Sequence, residues 1–360
     1  MLIQVILQVI LRRSAYYTSF FYIFLVSFCL ASCVLSPISQ VEPLEIPPLK
    51  YGKPTDRNGL SDKFKGKKRC VYMLHGIGDQ RNKDLSALGG RLKRVINDRN
   101  YKFECPEQPL DAIPVRAKKI IDYIEANERR SPHDYFFIIG YSLGGLVATD
   151  VATQLSVKKN PLAEKLAGVL TINSPMGGIT EDALIERVAG GMMKHLQEGR
   201  ADLIENSKYL QGLKQRVKSA KFPILSIASK LTLSEVGWSF LGFANNNNIG
   251  GDQTANVREI FPNSDCLVYL PSQVAVKDWR PSHRNIAVKA YQGYLHGDLS
   301  TALSMEQLQL LRKLVEEKPS TSILNKPDML TMLANFVDNP EAAVAQCGIA
   351  DEPEVIMENQ

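Results

Sequence analysis

Short apolar runs alternate with amphipathic stretches along most of this chain. Runs near 70–75, 100–104, 134–139, 167–172, 222–228 and 285–291 are rich in Val, Ile, Leu, Phe and Tyr, and are read as strands. Between them, apolar residues recur at helical spacing, which predicts helices near 84–98, 112–128, 143–156 and 303–317. The strand runs are continuous rather than alternating, as expected of strands buried on both faces. Strands that alternate with helices call for an α/β fold: a mostly parallel central sheet with helices on both faces. No internal repeat is evident, and nothing before residue 66 reads as a core strand.

The N-terminus follows a different pattern. After Arg12 and Arg13 no charged residue appears until Glu42, and residues 15–32 are dominated by Tyr, Phe, Ile, Leu and Val. A basic start followed by an apolar segment is the layout of an export signal or anchor. The segment ends Leu30-Ala31-Ser32-Cys33, which resembles the bacterial lipobox and implies acylation of Cys33 after cleavage. The alternative is an uncleaved transmembrane anchor, since about 20 apolar residues span a bilayer. Both readings make the protein exported and membrane-attached. Residues 1–33 are thus a leader or anchor, and 34–66, with Pro37, Pro43, Pro47, Pro48 and Pro54, a semi-rigid linker. Residues 67–317 read as the folded domain, and 318–360 as a tail with one helix near Lys326–Val337 and an acidic end. The basic run Lys63–Arg69 reads as a solvated charge patch, with contact to anionic lipid as the other possibility. The net charge of +5 drops by two with the loss of Arg12 and Arg13, too small a surplus to imply a nucleic-acid partner.

Chemistry enters where the run Phe136–Ile139 meets Gly140-Tyr141-Ser142-Leu143-Gly144 and then continues as a helix. A chain that passes from a buried strand to a helix in so few residues bends sharply and exposes the serine hydroxyl above the sheet. Gly140 and Gly144 supply room for that bend. Upstream, Cys70–Leu74 ends in His75-Gly76-Ile77-Gly78, a second strand tip with a Gly-rich turn. Downstream lies Val169-Leu170-Thr171-Ile172-Asn173-Ser174-Pro175. These three segments in this order resemble the α/β-hydrolase family, specifically its lipase and esterase branch, and imply a reduced version of that fold with helical inserts. Many members carry His before the serine, where this chain has Tyr141. The resemblance implies Ser142 as nucleophile and the Ile77 and Leu143 N–H groups as the oxyanion hole.

A serine hydroxyl needs a base, and the base an orienting carboxylate. Of the five histidines, His75 belongs to the oxyanion loop, His133 precedes the nucleophile strand and His195 lies in a helical insert. The family order of Ser, acid, His admits both His283 and His296. His296 follows the last strand run and is the expected base, with His283 as the alternative. Asp265, in Asn263-Ser264-Asp265-Cys266, resembles the family's acid, although Cys266 replaces its usual Gly. Asp252 is the alternative acid.

No Cys or His pair has metal-ligand spacing, so neither a metal nor another cofactor is expected. Cys70, Cys105, Cys266 and Cys347 would permit two disulfides in three connectivities. Residues 180–197 gather Leu184, Ile185, Val188, Met192 and Leu196 on one helical face, the pattern of a lid or of an ordinary packed helix. A second insert, 231–249, holds Leu233, Trp238, Phe240 and Phe243 before an Asn run. Apolar inserts beside a membrane tether suit an acyl-ester lipid substrate. An acyltransferase or thioesterase would use the same groups, because an acyl-enzyme does not dictate its acceptor. A lipoprotein that binds acyl chains without turnover is the reading from another class.

Overall fold

The computed structural model describes residues 60–76, 80–108, 111–157, 160–179, 200–231, 270–279, 285–292, 294, 322–325 and 327–347. Six strands form one sheet: β1 (Arg69–Leu74), β2 (Tyr101–Glu104), β3 (Tyr135–Tyr141), β4 (Leu166–Ile172), β5 (Ile224–Lys230) and β6 (Ile286–Gln292). The main helices are α1 (Gln80–Ile96), α2 (Ile113–Arg130), α3 (Leu143–Val157), α4 (Lys208–Ser219), α5 (Leu270–Val274), α6 (Pro327–Asp338) and α7 (Pro340–Gln346). All strands pair in parallel, in the order β2-β1-β3-β4-β5-β6.

Each predicted strand is present to within about two residues, because central strands packed on both sides read as unbroken apolar runs. Within a strand, side chains alternate between two cores. Tyr72, Leu74, Phe136 and Ile138 join α2, α3 and α4 on one face. Val71, Met73, Phe137 and Ile139 join α1, α6 and α7 on the other. The segment expected as a tail thus seals one face of the sheet. Phe336 of α6 meets Phe137 edge-on at 6.1 Å and packs on Gly168, where a Cβ would stand 2.8 Å from its ring.

Three of these helices are outside the predicted set: α4, the short α5 and α7. α4 begins at Ser207, whose hydroxyl accepts the Leu210 N–H, and buries Leu210, Leu213 and Val217. α7 begins at Asn339, whose side chain accepts from Ala342 N–H, with Pro340 in its first turn. The predicted helix 303–317, the inserts at 180–197 and 232–249, and residues 1–59 with Cys33 lie outside the described residues. None of the described helices is long and apolar enough to cross a membrane. Cys70, Cys105 and Cys347 are free thiols, so the two-disulfide framework does not form; Cys266 is outside the described residues.

The basic run before β1 is not one uniform surface. Lys63 and Lys65 are exposed and pair with Glu341 and Asp62. Arg69, at 1% exposure, is buried between the Asp98 and Asp338 carboxylates.

Candidate active site

Sheet order determines where a parallel α/β fold opens. From β1 the chain crosses to β2 on one side over α1, then returns over α2 to β3 on the other side. Connections that leave for opposite faces part at the C-terminal ends of β1 and β3, and the crevice between them is the ligand site of such sheets. The loop after β1 is His75-Gly76, and the residue after β3 is Ser142.

Ser142 sits between β3 and α3 with φ +56°, a left-handed conformation uncommon outside glycine. The turn has its own hydrogen bonds: Ser142 N–H donates to Ile172 O at 2.8 Å, and Gly145 N–H to Ser142 O at 3.0 Å. Its compactness explains the glycines. A Cβ on Gly140 would strike the Gly144 carbonyl, one on Gly144 the carbonyls of Leu74 and His75, and one on Gly145 the Ser174 hydroxyl. Gly140 and Gly144 thus do what their spacing implied, while Gly145 is a third requirement, set by β4.

The two strand tips meet at Gly76. A Cβ there would lie 2.7 Å from Ser142 Cβ and 3.0 Å from its Oγ, so only a bare backbone fits against the hydroxyl. Gln108 braces this loop by donating from Nε2 to His75 O at 2.9 Å. The His75 imidazole is buried, its Nδ1 3.0 Å from Gly76 O. Leu143 opens α3, where the first N–H groups of a helix lack intrahelical acceptors. Backbone donors from a helix start and a neighbouring strand tip are the raw material of an oxyanion hole. Ile77, the other expected donor, lies outside the described residues.

Of the remaining expected groups, Asp265, His296 and their alternatives Asp252 and His283 also lie outside the described residues, as does His195. His133 precedes β3 at the opposite end of the sheet, about 20 Å from Ser142 at the rise of a seven-residue strand. It is buried near Glu128, and burial lowers its pKa. It is therefore no base for this serine. Asp150, in the second turn of α3, is committed elsewhere: it accepts from Arg216 at 2.8 Å and from Tyr209 at 3.1 Å. Among the described residues no cluster of His, Cys, Asp or Glu is arranged to hold a metal.

Beside the elbow lies a buried polar network that sequence reading did not single out. Asn173, one residue beyond β4, has φ +46° and donates from Nδ2 to Ser229 Oγ at 2.7 Å. Gln273 of α5 holds the Ser229 backbone from both sides, accepting its N–H at 2.9 Å and donating to its carbonyl at 3.0 Å. The Gln273 carbonyl accepts from Ser226 Oγ, which accepts in turn from Thr171 Oγ1, both at 3.0 Å.

No protein-family model and no curated protein matches the chain. Solved structures of similar architecture include a metagenomic carboxyl esterase, 12% identical, covering 85% of this chain and 82% of that one, with a TM-score of 0.44. A lipase from Bacillus licheniformis is 11% identical over 68% of this chain and 89% of its own, at 0.40. A thioesterase of prodiginine biosynthesis from Streptomyces coelicolor is 13% identical over 73% and 90%, at 0.37. A parallel sheet whose order reverses beside its first strand, with a left-handed serine on the sharp turn at that point, is the architecture of the α/β-hydrolases, and this chain has that fold.

Proposed function

We propose that the protein is a membrane-attached serine carboxylester hydrolase that cleaves acyl esters of lipids. The observation that carries this reading is Ser142, held left-handed at the switch point of the sheet with the Gly76 backbone against its hydroxyl. Such a turn is sterically costly, and costs of this kind persist where a reacting group must be presented. Topology supports the partners. All six strands run the same way, so β5 and β6 leave the sheet at the edge where Ser142 stands. Asp265 follows β5 in the chain, and His296 follows β6 by a few residues.

In this mechanism Ser142 Oγ attacks the acyl carbonyl while His296 takes its proton, and Asp265 orients the imidazole. The carbonyl oxygen becomes an oxyanion that accepts from the Leu143 and Ile77 N–H groups. Collapse expels the alcohol, which receives its proton from the imidazolium. Water then attacks the acyl-enzyme with His296 again as base, and the acid leaves. The leader supports attachment to a membrane, through acylated Cys33 or an uncleaved anchor, and the apolar inserts support acyl chains as the bound group.

A fluorophosphonate probe tests the reading. Wild-type protein is expected to be labelled on Ser142 and to hydrolyse p-nitrophenyl acyl esters, with both lost in Ser142→Ala. Folded wild-type protein that takes no label would instead be an acyl-chain binder. Acid release that gives way to ester formation when an alcohol is added would make the enzyme a transferase.

A further inference from the structure

The Ile172–Asn173 peptide has hydrogen bonds on both edges. Its carbonyl accepts the Ser142 N–H at 2.8 Å, and its N–H donates to Ile227 O at 2.7 Å. A peptide unit is rigid and planar, so whatever sets its tilt also sets the direction from which Ser142 is held. The tilt depends on Asn173, which takes a left-handed conformation without being glycine. That residue is completely buried, and its Oδ1 has no hydrogen-bond partner among the described residues. Asparagine tolerates this conformation better than most residues, as Asn97 and Asn206 do, but an unpaired buried amide oxygen is unfavourable and points to surroundings that hold the side chain for another purpose.

The surroundings here are Ser229 and Gln273, both fully buried. Ser229 Oγ fixes the Asn173 side chain, and the Gln273 amide grips the Ser229 backbone on its N–H and its carbonyl. We propose that Asn173, Ser229 and Gln273 form a positioning relay that locks the Ile172–Asn173 peptide and thereby aims the Ser142 nucleophile. The inference rests on the reading of Ser142 as nucleophile and adds the residues that orient it. All three are fully buried and would act through the backbone that holds Ser142. Their effect is on the chemical step: substrate affinity is set elsewhere, and the rate of acylation depends on the approach of the hydroxyl to within reacting distance.

The test measures kcat and KM for p-nitrophenyl butyrate, together with the rate of Ser142 phosphonylation by a fluorophosphonate, in Ser229→Ala, Asn173→Ala and the double variant. Thermal melts confirm that each variant is folded. Each single change is expected to lower kcat/KM and the limiting rate of phosphonylation about tenfold, with reversible binding of the phosphonate nearly constant. The double variant is expected to be no slower than the slower single one, because both changes cut the same relay. Ser229→Ala removes a single oxygen from a folded strand and decides the matter alone if Asn173→Ala does not fold. Wild-type acylation rates in Ser229→Ala, losses that multiply in the double variant, or weaker reversible binding of the phosphonate at an unchanged limiting rate of phosphonylation would each overturn the relay while leaving Ser142 as nucleophile. Wild-type protein that takes no label overturns the hydrolase reading and the relay with it.

Discussion

The two ends of the sheet use buried polar groups differently. At the N-terminal end of β1, Arg69 donates to Val337 O at 3.0 Å, Asp338 Oδ1 at 3.1 Å and Asp98 Oδ2 at 2.9 Å, tying α6 and the turn before β2 to the first strand. One guanidinium is held there between two carboxylates, and the left-handed residue of that end, Asn97, belongs to the turn that carries Asp98. At the C-terminal end, Ser142 and Asn173 are left-handed, glycines stand where any side chain would collide, and Asn173 Oδ1 is unpaired. One end commits its charged groups to ion pairs that join helix to strand; the other holds a serine hydroxyl against bare backbone on a left-handed turn. The contrast separates groups that stabilise from groups that react, and it can be tested from both sides.

The largest effect is expected at the C-terminal end. Ser142→Ala should abolish phosphonate labelling and lower ester hydrolysis by on the order of 10⁵- to 10⁶-fold, with an unchanged melting temperature. At the N-terminal end the pattern reverses: Asp338→Ala leaves the buried Arg69 guanidinium with Asp98 as its one carboxylate partner and should cost about 1.5–3 kcal/mol in urea unfolding. Activity per folded molecule should stay at the wild-type level; a fall in kcat would mean that the two ends are coupled. Gly76→Ala sits at the join between fold and chemistry. Its Cβ would press on Ser142, so about 1–3 kcal/mol of stability and a large part of kcat should go together.

A smaller effect is expected from pH. Burial pushes the Cys70 thiol from its ordinary 9.0 up to about 12, and the Tyr72 and Tyr101 phenols also rise, chiefly through burial. The unfolded chain releases these protons first and so binds fewer of them than the folded chain at alkaline pH. Stability that is complete at neutral pH should therefore fall as the pH climbs above about 9. Urea midpoints measured from pH 7 to 10.5 would show the slope, and Cys70→Ala should flatten it. The smallest change is expected for Lys118→Ala, which removes an exposed pair with Asp122 one helical turn away and should cost under about 0.5 kcal/mol.

Much of this arrangement is legible in the residues. Strands such as Phe136–Ile139 are apolar without a break because both faces are covered, and the Gly-Ser-Gly spacing at 140–144 follows from a bend that is itself local. The signal of α4 is equally local: Ser207 followed by Leu210, Leu213 and Val217 is a cap and an apolar stripe. Arg69 shows the opposite case: its neighbours Lys67 and Lys68 are exposed, and nothing nearby in the chain marks it as buried. Its partner Asp338 lies in what reads as a tail, and only the packing of α6 under the sheet brings the two together.

The sequence by itself determined the succession of strands and helices along the chain, the position of the turn at Ser142 and the unbroken apolar content of the strands, since all of these are written in neighbouring residues with a period of their own. The tertiary structure decided which loop lies against the serine, which helices seal the second face and how Asn173 reaches Ser229, 56 residues away. Those contacts join side chains that share no local pattern. They exist because a parallel sheet brings the ends of distant strands to one edge.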